Sequence, residues 1–232
     1  MRIVNPDSDH HMHTLNFSDG LNTMDEMVVH AGKLGLKEVT FTDHSDAHSL
    51  TFGRPRTSAF LTAKRWRNVH NDVKVELIVE GDLLDPEGDV CTTIHDKECE
   101  RFILSAHPRV FKERGRVTEA YLNAIRRFHE RIICIGHLDA VYFKDHVDVR
   151  RVVEEANRYG VPVELNGSGL LKGSSVHSHT RLILEHADRV MVNSDAHSLS
   201  DLEDGRKAAF DFLKEQGFLE RVENRDGIEM LK

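Results

Sequence analysis

The sequence predicts an α/β fold built of repeated strand–helix units, a (β/α) barrel of seven strands, one unit short of eight. Three observations carry this expectation. Short β-branched runs alternate with longer amphipathic stretches along the chain, the pattern of a parallel sheet covered by helices. No repeat period, low-complexity tract or Gly/Ser-rich linker breaks the alternation, so residues 1–232 read as one domain, within the size range of single α/β barrels. The strand runs also end, one after another, in histidine or carboxylate side chains. In a barrel these ends converge on one rim, where active sites are built.

The elements follow in order. Strands are expected near Ser8–Met12, Glu38–Thr42, Val75–Val79, Phe102–Ser105, Ile132–Ile135, Val161–Leu165 and Val190–Asn193. A helix over Met24–Leu34 places Met24, Met27, Val28, Ala31 and Leu34 on one face, with Thr23 as its N-cap. Further helices are expected over Thr118–Glu130, Val149–Tyr159, Ser178–Ala187 and Leu199–Gln216. Gly35 and Gly160 stand where a helix terminus calls for a left-handed residue.

Composition narrows the function classes. A balance of 39 acidic and 31 basic residues, net charge −8, argues against a protein whose main task is gripping nucleic acid, where a basic face is expected. Apolar runs reach only four or five residues, against roughly 18 for a membrane span, and Met1-Arg-Ile-Val-Asn-Pro carries no apolar leader. Cys91, Cys99 and Cys134 form no CxxC pair and read as ordinary thiols in a reducing cytoplasm. The 16 histidines are an excess over ordinary composition.

Those histidines explain the rim. The strand-end series is His11 and His13; Asp43 and His44; Glu80; His107; His137; Glu164 and Asn166; Asp195 and His197. Side chains alternate across a strand, so His11 and His13 point the same way, as do Glu164 and Asn166, and also Asp195 and His197 if that strand runs on. His10 then faces away and reads as a bystander, and His30, His70, His129 and His186 fall on helix surfaces.

The ordered set resembles the PHP (polymerase and histidinol phosphatase) superfamily. The resemblance rests on His11-Met-His13, Ser18-Asp19-Gly20, Thr42-Asp43-His44, Glu80, Ser105-Ala-His107, Gly136-His137-Leu138-Asp139, Glu164-Leu-Asn166-Gly-Ser-Gly169 and Ser194-Asp195-Ala196-His197, spanning about residues 9–200. The Gly136 and Glu164 segments look most like the histidinol-phosphate phosphatase branch. The resemblance implies a distorted seven-stranded (β/α)7 TIM-like barrel with three divalent ions at the carboxyl rim. One ion would be held by His11, His13, Glu80 and Asp195, a second by Glu80, His107 and His137, a third by Asp19, His44 and His197. Asp43 would orient a ligand or handle a proton. The chain departs from the family pattern at Ser105-Ala-His107-Pro108-Arg109 and at Gly173-Ser-Ser-Val-His-Ser-His179.

Imidazole nitrogen with carboxylate oxygen and no thiolate suits Zn, Mn or Fe rather than a structural zinc knot. Three such ions would outweigh Asp19, Glu80 and Asp195 and make the basin attractive to an anion in spite of the acidic chain. The expected activity is hydrolysis of a small phosphomonoester, with L-histidinol phosphate the leading candidate, by a hydroxide bridging the Glu80-linked ions. Glu80, Asp43 and His197 are the expected catalytic residues. Arg54, Arg56, Arg109, Lys172 and His48 are the expected contacts to phosphate or substrate, arginine being suited to bidentate phosphate binding. A phosphodiesterase or exonuclease is the main alternative, disfavoured by 6% aromatic content and by the lack of a basic stripe. A metal-dependent amidohydrolase ranks behind it, because such barrels commonly bridge two ions with a modified lysine where this chain offers Glu80.

Overall fold

The computed structural model describes residues 1–51, 64–95 and 97–223. Its centre is a nine-stranded sheet whose main path runs β1 (Arg2–Ile3), β11 (Arg189–Asn193), β10 (Val163–Asn166), β9 (Ile132–Ile135), β8 (Phe102–Ser105), β4 (Lys74–Leu83), β3 (Glu38–His44) and β2 (Ser8–Asp9). Every pairing along that path is parallel. The sheet curls until its two ends approach each other, and a parallel bridge joins Met12 to Ala196. The fold is therefore α/β with a curled parallel sheet, as in a TIM-like barrel. The main path has eight strands rather than the expected seven, because Arg2–Ile3 adds a short strand beside β11.

Parallel strands need crossovers, and amphipathic helices supply them. Helix α1 (Met24–Lys33) buries Met24, Met27, Val28 and Ala31, and Thr23 and Glu26 form a reciprocal capping box at its start. A short α2 (Asp46–Thr51) follows β3 directly. Helices α3 (Val117–Phe128) and α4 (Val149–Tyr159) cover the β8–β10 side. Then come α5 (Gly167–Lys172), α6 (His177–His186) and α7 (Leu199–Glu215). Gly160 closes α4 in the left-handed conformation at φ 68°, as its position in the sequence suggested. A two-strand hairpin, β6 (Thr93–Ile94) with β7 (Lys97–Glu98), and β5 (Val90–Cys91), antiparallel to β4, extend the β4–β8 connection.

Two apolar clusters hold the scaffold. The larger joins the β8–β11 strands to α3, α4, α6 and α7 through fully buried residues such as Phe102, Leu104, Ile125, Val152 and Val192. The smaller seats α1 on the opposite wall through Met12, Met27, Val28, Phe41 and Leu202. The β3–β4 register puts His44 beside Glu80, which brings two polar side chains to the same point of the rim. Among the described residues no helix is long and apolar enough to cross a membrane.

Candidate metal centre

Glu80 is the hub of the rim. It is fully buried on β4, and five imidazoles surround its carboxylate. His137 Nε2 lies 2.7 Å from Oε1 and His44 Nδ1 lies 2.8 Å from Oε2. His11 Nε2 and His107 Nε2 are each 3.5 Å from Oε1, and His13 Nε2 is 3.7 Å from Oε2. Asp195 Oδ1 stands 3.6 Å from His11 Nε2 and 3.4 Å from His13 Nε2. On the other side Asp19 Oδ1 lies 3.3 Å from His44 Nε2 and 3.4 Å from His197 Nε2.

Many of these separations are too long for a hydrogen bond. They match two ligand atoms on one ion: with metal–nitrogen and metal–oxygen bonds of about 2.0–2.1 Å and tetrahedral angles, neighbouring ligands stand roughly 3.3 Å apart. Among the described residues the buried atoms His11 Nε2 and His13 Nε2 have no hydrogen-bond partner. Leaving such groups unsatisfied costs about 1–3 kcal/mol each, and a cation satisfies both together. The residues present therefore fit divalent metal. Among the described residues four sets bring ligand atoms within 4.8 Å of one another: His11, His13 and Asp195; Glu80, His107 and His137; His13, Asp19, His44 and His197; and His44, His48 and His107.

The surrounding chain fixes which nitrogen faces the centre. His11 Nδ1 donates to Glu164 Oε1 at 2.8 Å and His107 Nδ1 to Asp82 Oδ1 at 2.6 Å. His197 Nδ1 donates to the Asp195 carbonyl at 3.1 Å, and His137 Nδ1 meets the Tyr142 hydroxyl at 3.0 Å. Each contact leaves Nε2 for the interior, the arrangement that ligating imidazoles use. Glu164 also accepts from the His137 backbone at 2.8 Å and from Asn193 and Asn166, each at 2.8 Å.

The charges are interlocked. Burial opposes ionisation of Glu80, yet His107 and His11 hold it well below the usual carboxylate range. Burial likewise opposes Asp195, and His11 and His13 lower it. Burial, with His197 and His44 nearby, keeps His13 well below the ordinary imidazole value. Two residues of the centre adopt backbone that favours glycine, His137 at φ 25° and Asp195 at φ 53°. Strain of about 1–3 kcal/mol per residue persists where the surroundings hold it in place, and it gathers at functional sites.

Similarity to known proteins agrees with this geometry. Residues 9–168 match the PHP domain. The chain belongs to the PHP domain family. A "probable phosphatase" of Caldanaerobacter subterraneus is 29% identical over 204 residues, covering 84% of this PHP chain and 77% of the relative. Another, from Tolumonas auensis, is 26% identical over 206 residues, covering 84% and 81%. In fold, the chain resembles the crystal structure of histidinol phosphate phosphatase from Lactococcus lactis, complexed with zinc, L-histidinol and phosphate. That likeness has a TM-score of 0.56 at 15% identity and covers 92% of this chain and 94% of the other.

All nine residues that the sequence points to as metal ligands gather at this PHP rim: His11, His13, Asp19, His44, Glu80, His107, His137, Asp195 and His197. The expected route for the last pair differs, because β11 ends at Asn193 and a left-handed turn at Asp195 replaces strand alternation. Asp43 belongs to none of the four sets. It is buried, accepts from Thr14 N at 2.6 Å and Thr14 Oγ1 at 2.8 Å, and burial pushes its carboxyl up to about 7.

Lys172 pairs with Asp201 at 3.1 Å. Arg109 is exposed two residues beyond His107, while Arg54 and Arg56 lie outside the described residues. His10 turns away, its ring bonded to Ser8 Oγ at 2.9 Å and Thr40 Oγ1 at 2.8 Å. Sequence reasoning missed Asp82 and Tyr142. The signal for Asp82 was its spacing, two residues past Glu80 on one strand and hence on the same face.

Proposed function

We propose that this chain is a metal-dependent phosphomonoesterase acting on a small phosphorylated metabolite, with L-histidinol phosphate as the leading substrate and residues 1–232 as one catalytic unit. The observation that carries the reading is Glu80, one buried carboxylate within 3.7 Å of five imidazoles. His11, His13, Glu80 and Asp195 would hold one ion, Glu80, His107 and His137 a second, and Asp19, His44 and His197 a third, with Zn, Mn or Fe suited to such ligands. Bound there, divalent ions supply Lewis acidity, lowering the pKa of water toward about 7 and drawing charge from phosphate oxygens.

The chain's own part is to place those groups and receive the substrate. Glu164 and Asp82 hold the His11 and His107 rings with Nε2 inward. Asp43 clasps Thr14 and so fixes the turn that follows His13. Arg109, exposed just past His107, is the candidate contact for the phosphate or its ester group, since its fork suits phosphate oxygens. Lys172 is already engaged by Asp201, whose Oδ2 also accepts the His197 backbone N–H at 3.1 Å, so its part is to steady that turn.

The names of the relatives and the phosphate and L-histidinol bound by the Lactococcus protein support a phosphomonoester over other substrates. The test is phosphate release from a panel of small phosphomonoesters, L-histidinol phosphate included, beside phosphodiesters and single-stranded DNA. Monoesters are expected to turn over at least 100-fold faster. Preference for the diesters or DNA would replace the phosphatase by a phosphodiesterase or nuclease.

A further inference from the structure

Hydroxyls stand behind two of the rim imidazoles, and they differ in where the O–H goes. Ser18 Oγ lies 3.4 Å from His13 Nδ1 and donates to Asp19 Oδ1 at 3.0 Å. The Tyr142 hydroxyl lies 3.0 Å from His137 Nδ1 and, among the described residues, makes no other hydrogen bond. A phenol is a donor as well as an acceptor, and it keeps its proton near neutral pH. A neutral imidazole that gives its Nε2 lone pair to an ion carries its hydrogen on Nδ1. His137 Nδ1 then donates and the Tyr142 oxygen accepts, which leaves the tyrosine O–H to serve another acceptor.

The fold gives this tyrosine little room to turn away. Tyr142 sits in a short 3-10 turn, Val141–Phe143, on the loop that follows β9 and His137. The segment Ser174–Val176, just after α5, grips the chain immediately before it. Val141 N donates to the Ser174 carbonyl at 2.9 Å, Ala140 bridges Ser175 in antiparallel fashion, and Val176 N donates to the Asp139 carbonyl at 2.8 Å. Buried Asp139 also accepts from Thr180 Oγ1 at 2.5 Å, which anchors that grip to the start of α6. The Tyr142 ring meets Phe143 edge-on, with centroids 5.3 Å apart. Burial first, then Glu80, Tyr121 and Asp195 nearby, push the phenol well above its usual value, so the hydroxyl lies beside the basin and not on the outer surface.

We infer that Tyr142 binds the phosphate of the substrate, its hydroxyl accepting from His137 Nδ1–H and donating to a phosphate oxygen. The inference rests on the phosphomonoesterase reading of the rim. A hydrogen bond to a charged oxygen is about twice as strong as a neutral one, and a donor already tied to a ligating imidazole is in place before the phosphate arrives.

The test measures binding rather than turnover, with inorganic phosphate as the probe. The full chain is saturated with zinc, bound metal is counted by plasma mass spectrometry, and phosphate affinity is measured by calorimetry for wild type and Tyr142→Phe, which removes the hydroxyl and keeps the ring. Tyr142→Phe is expected to hold the wild-type complement of zinc at saturation, to keep its far-ultraviolet circular dichroism spectrum, and to bind phosphate at least tenfold more weakly. A tyrosine that only orients the His137 ring would weaken zinc and leave phosphate affinity at saturating zinc unchanged; that result would overturn the inference. So would a variant that cannot be loaded with zinc at all, because the part of the hydroxyl would then end at His137. Wild-type protein that takes up no zinc would sink the metal-centre reading, and zinc-loaded wild type indifferent to phosphate would sink the phosphomonoesterase reading; Tyr142 falls with either.

Discussion

At the scale of single residues, the centre depends on carboxylates outside the nine candidate ligands. Asp82 and Glu164 touch the outward nitrogens of His107 and His11, and groups in such positions typically control 10–100-fold in metal affinity or activity. Asp82→Asn is expected to weaken metal binding by about that factor, since an amide can present a donor where the His107 N–H needs an acceptor. Metal titration of the variant checks this, and wild-type affinity would remove Asp82 from the account. The candidate ligands were legible because their side-chain types stand out at strand ends. Asp82 was not, since its partner lies 25 residues away and a lone aspartate on a strand has many bland uses. Asp43 stands between the two. Beside His44 it reads as orienting a ligand or handling a proton, and it accepts from the backbone and hydroxyl of Thr14, next to His13, a contact that no local pattern announces.

At the scale of elements, period and caps were readable where elements are long. Helix α4 spans Val149–Tyr159 as expected, between the Asp148 cap and left-handed Gly160. Strands of two residues such as β1, β5 and the β6–β7 pair are too short to carry a period, so only tertiary pairing reveals them. The turn after β9 combines two constraints. His137 sits at φ 25°, and a Cβ on Gly136 would lie 2.5 Å from Ser105 Oγ and 2.8 Å from Ile103 Cγ2. Gly136→Ala must therefore turn the Ser105 hydroxyl and the Ile103 side chain aside, or shift β9 against β8 and His137 with it. Overpacking of this kind typically costs about 1–3 kcal/mol. A lower melting temperature together with weakened metal binding is expected; a variant unchanged in both would show that the turn has slack. Thr23→Ala separates fold from site. Losing that N-cap costs about 0.5–2 kcal/mol, so chemical denaturation should report lower stability while metal content stays at the wild-type value.

At the scale of the molecule, the two ends of the sheet are locked by a polar knot the sequence did not reveal. Buried Arg206 donates to the carbonyls of Ser8, Val192 and Pro6, and Asn5 bridges Ser8, Val192 and Asn193. These contacts span nearly the whole chain, which is why no local pattern announced them. The knot holds the His11–His13 segment beside the Asp195–His197 turn, so metal bound at the rim would be linked to closure of the fold. Ligands that bind only the folded state raise its stability by about 2.7 kcal/mol at 100 times the dissociation constant. Stripping metal should therefore lower the melting temperature, and restoring zinc should return it; a melting curve indifferent to metal would place the cluster outside the stability of the fold.

The central claim, that Glu80 organises metal for phosphomonoester hydrolysis, is tested most directly by phosphate release from L-histidinol phosphate, comparing chelator-stripped and zinc-, manganese- or iron-reloaded protein, wild type beside Glu80→Gln. Negligible release by stripped protein, recovery with at least one of the three metals, and at least a 1000-fold loss, about 4 kcal/mol of transition-state stabilisation, in reloaded Glu80→Gln are expected. Full turnover by stripped protein, or wild-type turnover by Glu80→Gln, would contradict the claim.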